Sequence, residues 1–129
     1  MPVPEVSVLE LRALLADESE SVVLVDVRSE AEYAVSVIPG AITKEQFEAN
    51  RDELCEKHVV AYCTVGGRSF VYARQLRRQG IHASNFGPSI IGWCEANGEL
   101  VTLDGIATNR AHVYSSAFSV PEPYEAVTE

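Results

Sequence analysis

Residues 59–69 read VVAYCTVGGRS, and this stretch decides the fold class. The apolar run at 59–62 predicts a buried strand that ends at Cys63, and a helical pattern begins near Arg68 after two glycines. Cys63 therefore lies between the carboxyl end of a strand and the N-terminus of a helix. The unpaired N–H groups and the positive dipole end of such a helix favour negative charge, which lowers a thiol pKa. Since the thiolate is the reactive form of cysteine, this placement predicts a nucleophile at Cys63.

Further strands are predicted on either side of this stretch. The β-branched run at 21–27, like the apolar run at 59–63, is typical of a strand that is covered on both faces. A very short strand is predicted at 41–42 and a weaker one at 81–86. Strands buried on both faces are characteristic of parallel sheets, which need a connecting segment, usually a helix, between consecutive strands.

Helix start signals lie between the predicted strands. Ser7 with Glu10, and Thr43 with Gln46, fit the capping box, in which two side chains satisfy free N–H groups at a helix start. The alternation of strands and helices predicts an α/β domain with a parallel sheet and a site outside the carboxyl ends of the strands. The predicted helices span residues 8–16, 29–34, 43–57 and 68–79, with a further helix that starts at Pro88.

The composition indicates one folded domain with an acidic surface. The chain has 129 residues, of which 47% are hydrophobic, and a net charge of −9. This charge argues against general binding to nucleic acid or to anionic membranes, and no apolar stretch approaches the ~20 residues of a membrane span. The N-terminus lacks the basic and apolar parts of a signal peptide. We therefore expect a cytoplasmic protein, or an organellar one if the sequence is that of a mature form.

The cysteines and histidines give no sign of a metal or a structural disulfide. None of the three cysteines has C-x-x-C spacing, and the three histidines lack the spacing of a metal cluster. Cys55 and Cys94 lie inside helical patterns and are interpreted as inert thiols rather than as resolving cysteines. We expect no cofactor and no metal.

Residues 99–129 follow a different pattern. Asp104-Gly105 predicts a tight turn after a short strand, a further strand is predicted at 112–114, and the proline pair at 121–123 suggests an extended tail. No linker separates this segment from the rest. We therefore expect residues 1–98 to form the main domain and 99–129 to be an extension that packs on it. Contact with a protein partner, or self-association, through the extension is a further hypothesis.

Four segments of the chain form a recognisable series: LVDVRSEAEY at 24–33, IPGAI at 38–42, YCTVGGRS at 62–69 and the glycine-to-tryptophan helix at 87–93. Taken in this order, they resemble the rhodanese family, the thiosulfate sulfurtransferases. The resemblance covers about residues 7–96 and implies a rhodanese-like three-layer α/β fold, with a small, mostly parallel sheet and helices on both faces. The chain departs from the family at 36–37 and 88–89, where many members carry Gly-His and Gly-Gly.

The resemblance implies sulfur transfer at Cys63. The cysteine would take a sulfane sulfur from a donor such as thiosulfate and hold it as a persulfide, which cyanide or a thiol then removes. The N–H groups of the following loop could stabilise these anions, Arg68 could pair with an anionic donor, and Ser69 could cap the helix and supply a hydroxyl donor. The predicted substrate-binding residues are Thr64, Val65, Gly66, Gly67, Arg68 and Ser69.

Two charged residues ahead of the loop are predicted to support the site. Asp26 and Arg28 belong to the first matching segment, and we expect them to be part of the scaffold. If the turn after them is helical, Arg28 could pair with Glu32.

Other functions remain open at this point. A rhodanese-like domain can also be a sulfur carrier or a binding module with little turnover, which would act on a partner through the extension. Related phosphatases and arsenate reductases have one more residue between cysteine and arginine than the four that separate Cys63 from Arg68. The shorter loop suits a single sulfur better than a tetrahedral oxyanion, so the count favours sulfur transfer.

Overall fold

A parallel sheet forms the centre of the protein. The structure is a computed structural model that describes residues 2–129. The strands of the sheet are β1 (Val22–Asp26), β2 (Ile42–Thr43), β3 (His58–Tyr62) and β4 (Ala83–Asn85), in the spatial order β2-β1-β3-β4. Every neighbouring pair is parallel, and Asp26 at the end of β1 lies opposite Tyr62 at the end of β3. This register places the loops that follow β1 and β3 side by side.

Helices cover both faces of the sheet, which confirms the predicted three-layer α/β fold. They are α1 (Val8–Asp17), α2 (Glu30–Tyr33), α3 (Lys44–Ala49), α4 (Arg51–Leu54), α5 (Gly67–Arg78) and α6 (Ser89–Glu95). Leu24 of β1 clusters with Leu11 of α1 and Ile90 of α6. The next residue, Val25, clusters with Leu76 of α5 on the opposite face. Within residues 2–129, no helix is long and apolar enough to cross a membrane.

The predicted helix starts are formed as capping boxes. The Ser7 hydroxyl accepts from the N–H of Glu10, whose carboxylate accepts from the N–H of Ser7. Thr43 and Gln46 make the same reciprocal bonds at the start of α3. A third box, which the sequence reading did not identify, opens α2.

The predicted helix at 43–57 is wrong in its extent. It breaks at Asn50, where α3 ends and α4 begins. The Asn50 side-chain amide donates to the carbonyl of Gln46 at 2.9 Å, so it offers the backbone an alternative to continued helix. The predicted strand at 81–86 is also shorter, since only Ala83–Asn85 pair in the sheet.

The extension contains two small sheets. β5 (Leu100–Val101) pairs antiparallel with β6 (Ala107–Thr108) around the predicted turn, where Gly105 has a φ of 82°. β7 (Arg110–His112) pairs in parallel with β8 (Glu125–Val127). Two predictions are corrected here. The strand predicted at 112–114 lies earlier in the chain and ends at His112. The tail predicted to be extended leads into β8, because the edge of β7 supplies backbone partners that no local sequence pattern reveals.

The extension is attached to the main domain by backbone and side-chain contacts. Val37 and Val101 exchange two backbone hydrogen bonds, at 2.8 and 3.0 Å. The Ser36 hydroxyl donates to the Arg110 carbonyl at 2.6 Å, and Leu100 belongs to the same hydrophobic cluster as the core residues of β1. Residues 99–129 therefore bury part of the sheet's own core, while the exact boundary after residue 98 stays a prediction.

Leu100→Ala should lower the free energy of unfolding by about 2–4 kcal/mol, because a leucine that is only 2% exposed leaves a cavity. The matched control is Leu103→Ala in the same hairpin, where the side chain is 55% exposed and the cost should be about 0.5 kcal/mol or less. Urea denaturation measures both values. Equal, small losses would contradict a core role for the extension.

Candidate active site

Cys63 directly follows β3 and is held from the other side by α6. Its N–H donates to the Ser89 hydroxyl at 3.1 Å, and its carbonyl accepts from the N–H of Ile90 at 3.1 Å. Ser89 is fully buried and has a φ of 55°, a conformation that side chains seldom adopt. Cys63 itself is 1% exposed. The backbone on both sides thus fixes the position of the sulfur.

The glycines of the loop have unequal roles. The N–H of Gly66 donates to the sulfur of Cys63 at 3.2 Å. Gly66 has a φ of 97°, and a Cβ there would lie 2.5 Å from the carbonyl oxygen of Gly87. A side chain is therefore excluded at Gly66, whereas a Cβ on Gly67 would meet open space. Of the two glycines, only Gly66 must therefore lack a side chain for steric reasons.

The hydroxyl of Ser69 lies between Cys63 and Asn85. Its oxygen is 3.4 Å from the Cys63 sulfur and 2.6 Å from the Asn85 Oδ1. The Asn85 amide nitrogen donates to the carboxylate of Glu5 and the carbonyl of Gly66, which orients Oδ1 toward Ser69. A hydroxyl has one proton, so Ser69 donates to Asn85 in the thiol state and can turn to the sulfur in the thiolate state. The predicted helix cap at Ser69 is wrong, because the N-cap is Gly66.

These contacts lower the pKa of Cys63. Burial raises it, but hydrogen bonds from the Ser69 hydroxyl and from the N–H groups of Ser69, Gly66 and Arg68 outweigh burial. For Cys94 in α6, burial dominates and raises the pKa to about 12. Cys63 is therefore the more acidic of the two buried thiols, in the direction that its sequence context predicts.

Arg68 forms a bidentate ion pair with Glu32. Its two terminal nitrogens donate to the two carboxylate oxygens at 2.7 and 2.9 Å, and one of them also contacts the Thr64 hydroxyl at 3.2 Å. Burial would raise the pKa of Glu32, but hydrogen bonds from Arg68 and Ser29 hold it at about 2. Glu32 thus occupies the fork that the sequence assigned to an anionic donor, and the predicted pair of Glu32 with Arg28 is not formed.

Asp26 and Arg28 pair with each other beneath the site. The Arg28 guanidinium donates to the Asp26 carboxylate at 2.7–3.1 Å and to the carbonyl of Ser36 at 2.6 Å. Both side chains are fully buried. Since Ser36 also holds the Arg110 carbonyl, this pair secures the end of β1 and the attachment of the extension. Its hydrogen bonds reach the scaffold and not the loop at 64–69.

Two exposed side chains border the loop. Val65, within the loop, is 48% exposed. Tyr114, from the extension, has its ring centroid 4.8 Å from the guanidinium carbon of Arg68. We call Val65, Arg68 and Tyr114 the rim of the site.

Sequence reasoning missed four contributors to the site: Glu32, Asn85, Ser89 and Tyr114. Glu32 and Ser89 lie in the first and the last of the matching segments, and the capping box at 29–32 marks Glu32 as a helix-start residue, but neither signal predicts a contact with the Cys63 loop. Asn85 and Tyr114 reach the site from other segments. Among residues 2–129, no three histidine, cysteine or acidic side chains gather as a metal site.

Alkylation by iodoacetamide should separate Cys63 from Cys94. The rate as a function of pH, resolved by peptide mass, should have a midpoint below the ~8.5 of free cysteine for Cys63 and above it for Cys94. Ser69→Ala should move the Cys63 midpoint upward, because the thiolate loses a donor. A Cys63 midpoint at or above that of free cysteine would mean that the loop does not activate the thiol.

Glu32→Gln should lower the free energy of unfolding by about 1–2 kcal/mol at neutral pH, because the charge-assisted hydrogen bonds to Arg68 are weakened. The loss is limited because Arg68 is 40% exposed, so solvent partly screens the ion pair. The folded pKa of Glu32, about 2, lies below the unfolded value of about 4.3, so its contribution is complete above about pH 4.3 and is lost as the pH falls toward 2. Urea denaturation at several pH values should show the difference from wild type shrinking over that range. The control is Glu30→Gln, on the exposed side of α2. A difference that persists unchanged at pH ~2.5 would contradict the ion-pair assignment.

Comparison with known proteins gives a consistent family. The model of the Rhodanese-like domain matches residues 7–96. Over 61 residues the chain is 43% identical to a tRNA sulfurtransferase from Desulfurococcus amylolyticus, which covers 47% of this chain and 12% of that protein. It is 33% identical over 73 residues to an uncharacterized 16.5 kDa protein from Synechococcus elongatus, covering 50% of this chain and 49% of that protein.

A solved structure adds to this similarity. The chain superimposes on a thiosulfate sulfurtransferase from Pseudomonas aeruginosa with a TM-score of 0.66 and 27% identity, over 78% of this chain and 20% of that one. For the two curated relatives described above, the matched region spans only 12% and 49% of their length. With the family model covering residues 7–96, the chain belongs to the rhodanese-like domain family.

Proposed function

We propose that this protein is a sulfurtransferase that carries a sulfane sulfur as a persulfide on Cys63. The observation that carries the proposal is the hydrogen bond from the Gly66 N–H to the Cys63 sulfur at 3.2 Å, in a loop that lowers the pKa of the thiol. Two relatives are named as sulfurtransferases, which supports the class of reaction. Their names differ in substrate, so the similarity favours no single donor or acceptor.

The loop chemistry fits a two-step transfer. The Cys63 thiolate attacks the outer sulfur of a donor such as thiosulfate. The sulfur–sulfur bond of the donor breaks, the electron pair leaves with sulfite, and Cys63 retains the sulfur as a persulfide anion. Cyanide or a thiolate then attacks the outer sulfur and releases the Cys63 thiolate. In both steps negative charge stays near the sulfur, where the N–H of Gly66 and the Ser69 hydroxyl can stabilise it.

The loop is less suited to phosphate or arsenate chemistry. Four residues separate Cys63 from Arg68, and the arginine fork is held by Glu32. An oxyanion with several oxygens would need both a wider cradle and a free cation. A low-turnover sulfur carrier would use the same persulfide, so loading of Cys63 is the decisive step for either form of the proposal.

Intact mass after incubation with thiosulfate should show a gain of one sulfur atom that cyanide removes. Cys63→Ser should abolish the gain and lower thiosulfate-to-cyanide transfer about 1000-fold or more, because the nucleophile is lost. Cys55→Ser and Cys94→Ser are the matched controls and should load normally, with circular dichroism as the check on folding. A folded Cys63→Ser protein with near-normal transfer would overturn the proposal, and rapid hydrolysis of aryl phosphates by the wild type would favour a phosphatase.

A further inference from the structure

Tyr114 has a backbone conformation that tyrosine rarely adopts. Its φ is 72°, and the N–H of Ser115 donates to the carbonyl of Val113 at 2.8 Å, which closes a strained, positive-φ γ-turn around it. The Tyr114 N–H donates to Nδ1 of His112, and the N–H of the buried Val113 donates to the carbonyl of Val127. The backbone that leads into the turn is thus held in place, although Tyr114 itself is 60% exposed. Strain of this kind persists where the surroundings enforce it and is concentrated at functional sites.

The Tyr114 ring lies on the active site. It covers Arg68 at a cation–π distance of 4.8 Å. The pKa of Arg68 is raised mainly by its hydrogen bonds to Glu32, against burial. Arg68 closes the short loop that begins at Cys63, so the ring lies beside the loop that holds the thiol. Tyr114 lies outside the 7–96 range of the family model, so the extension adds it to the site.

On the basis of the sulfurtransferase function proposed above, we propose that Tyr114 is a specificity-determining residue that selects donors whose sulfane sulfur is attached to an organic group. Its ring and the side chain of Val65 offer apolar surface at the rim. A hydrocarbon or aromatic group next to the transferred sulfur can bury against that surface, which removes apolar area from water.

The rim offers much less to thiosulfate. Thiosulfate carries two negative charges and no apolar group. The fork of Arg68 is bound to Glu32, the Tyr114 ring lies 4.8 Å from its guanidinium carbon, and the chain has a net charge of −9. A small dianion would have to displace one of these partners without gaining apolar contact in return. The geometry therefore favours organic persulfides and thiosulfonates.

Benzenethiosulfonate and methanethiosulfonate are suitable probes because they carry the same charge and differ in the organic group. With either compound, the Cys63 thiolate attacks the terminal sulfur and the sulfur–sulfur bond breaks. The electron pair leaves with the sulfinate, and Cys63 keeps the sulfur as a persulfide anion. The ratio of kcat/KM for the two donors, compared between variants, cancels their intrinsic difference in reactivity.

Tyr114→Gly should lower the benzene-to-methane ratio about five- to tenfold, mainly through KM, because the aromatic contact is lost. Its melting temperature should not fall, since glycine adopts a φ of 72° without strain. Tyr114→Phe should retain the ratio, because it keeps the ring face. The matched control is Phe118→Ala, an aromatic residue of the extension that is also exposed, and it should leave the ratio unchanged.

The affinities of the unloaded protein for benzenesulfinate and methanesulfinate can be measured by calorimetry without any sulfur transfer. Tyr114→Gly should lower the ratio of these two affinities, as it lowers the ratio of kcat/KM for the two donors. If Tyr114→Gly has the same benzene-to-methane ratio of kcat/KM as the wild type, the role of Tyr114 is overturned. If no donor loads sulfur onto Cys63, the role is overturned when Tyr114→Gly has the same ratio of affinities for the two sulfinates as the wild type. A wild type that binds benzenesulfinate through Tyr114 but loads sulfur from no donor would support the role and overturn the proposed function. The two failures are therefore distinguishable.

Discussion

The ion pair between Glu32 and Arg68 joins the parts on which the site depends. Glu32 comes from the helix after β1 and Arg68 from the helix after β3, and the parallel register of those strands brings both to one edge of the sheet. The Thr64 hydroxyl bonds to both residues, so the chain between Cys63 and Arg68 is held closed around the sulfur. The same pair offsets the charge of Arg68, which leaves the N–H groups of the loop and the Ser69 hydroxyl as the main stabilisers of the thiolate.

Short-range hydrogen bonds, rather than the overall field of the protein, lower the pKa of Cys63. A chain with a net charge of −9 disfavours an additional anion, and burial of Cys63 disfavours it further. The N–H of Gly66 and the Ser69 hydroxyl must therefore be well placed. Gly66 can approach the sulfur because it has no Cβ to collide with Gly87. The backbone of Gly87, the first residue of the last matching segment, thus excludes any side chain at position 66.

The extension is both structural support and part of the site. A continuous set of hydrogen bonds runs from Asp26 through Arg28 and Ser36 to the carbonyl of Arg110 at the start of β7. That strand leads within four residues to Tyr114 on the rim. The rhodanese-like match ends at residue 96, yet the rim of the site includes a ring from beyond it. The thiol and the aromatic ring at the rim therefore come from different parts of the chain.

The sequence by itself determined the features that rest on local interactions. The apolar runs of β1 and β3, the capping boxes at Ser7 and Thr43, and the position of Cys63 before a helix N-terminus all follow from neighbours in the chain. The tertiary structure alone decided which charges meet. Glu32 binds Arg68 and not Arg28. The Ser69 hydroxyl contacts both Cys63 and Asn85, and Tyr114 reaches the rim. These outcomes could not be predicted, because side chains far apart in sequence compete for partners that only the packed sheet brings together.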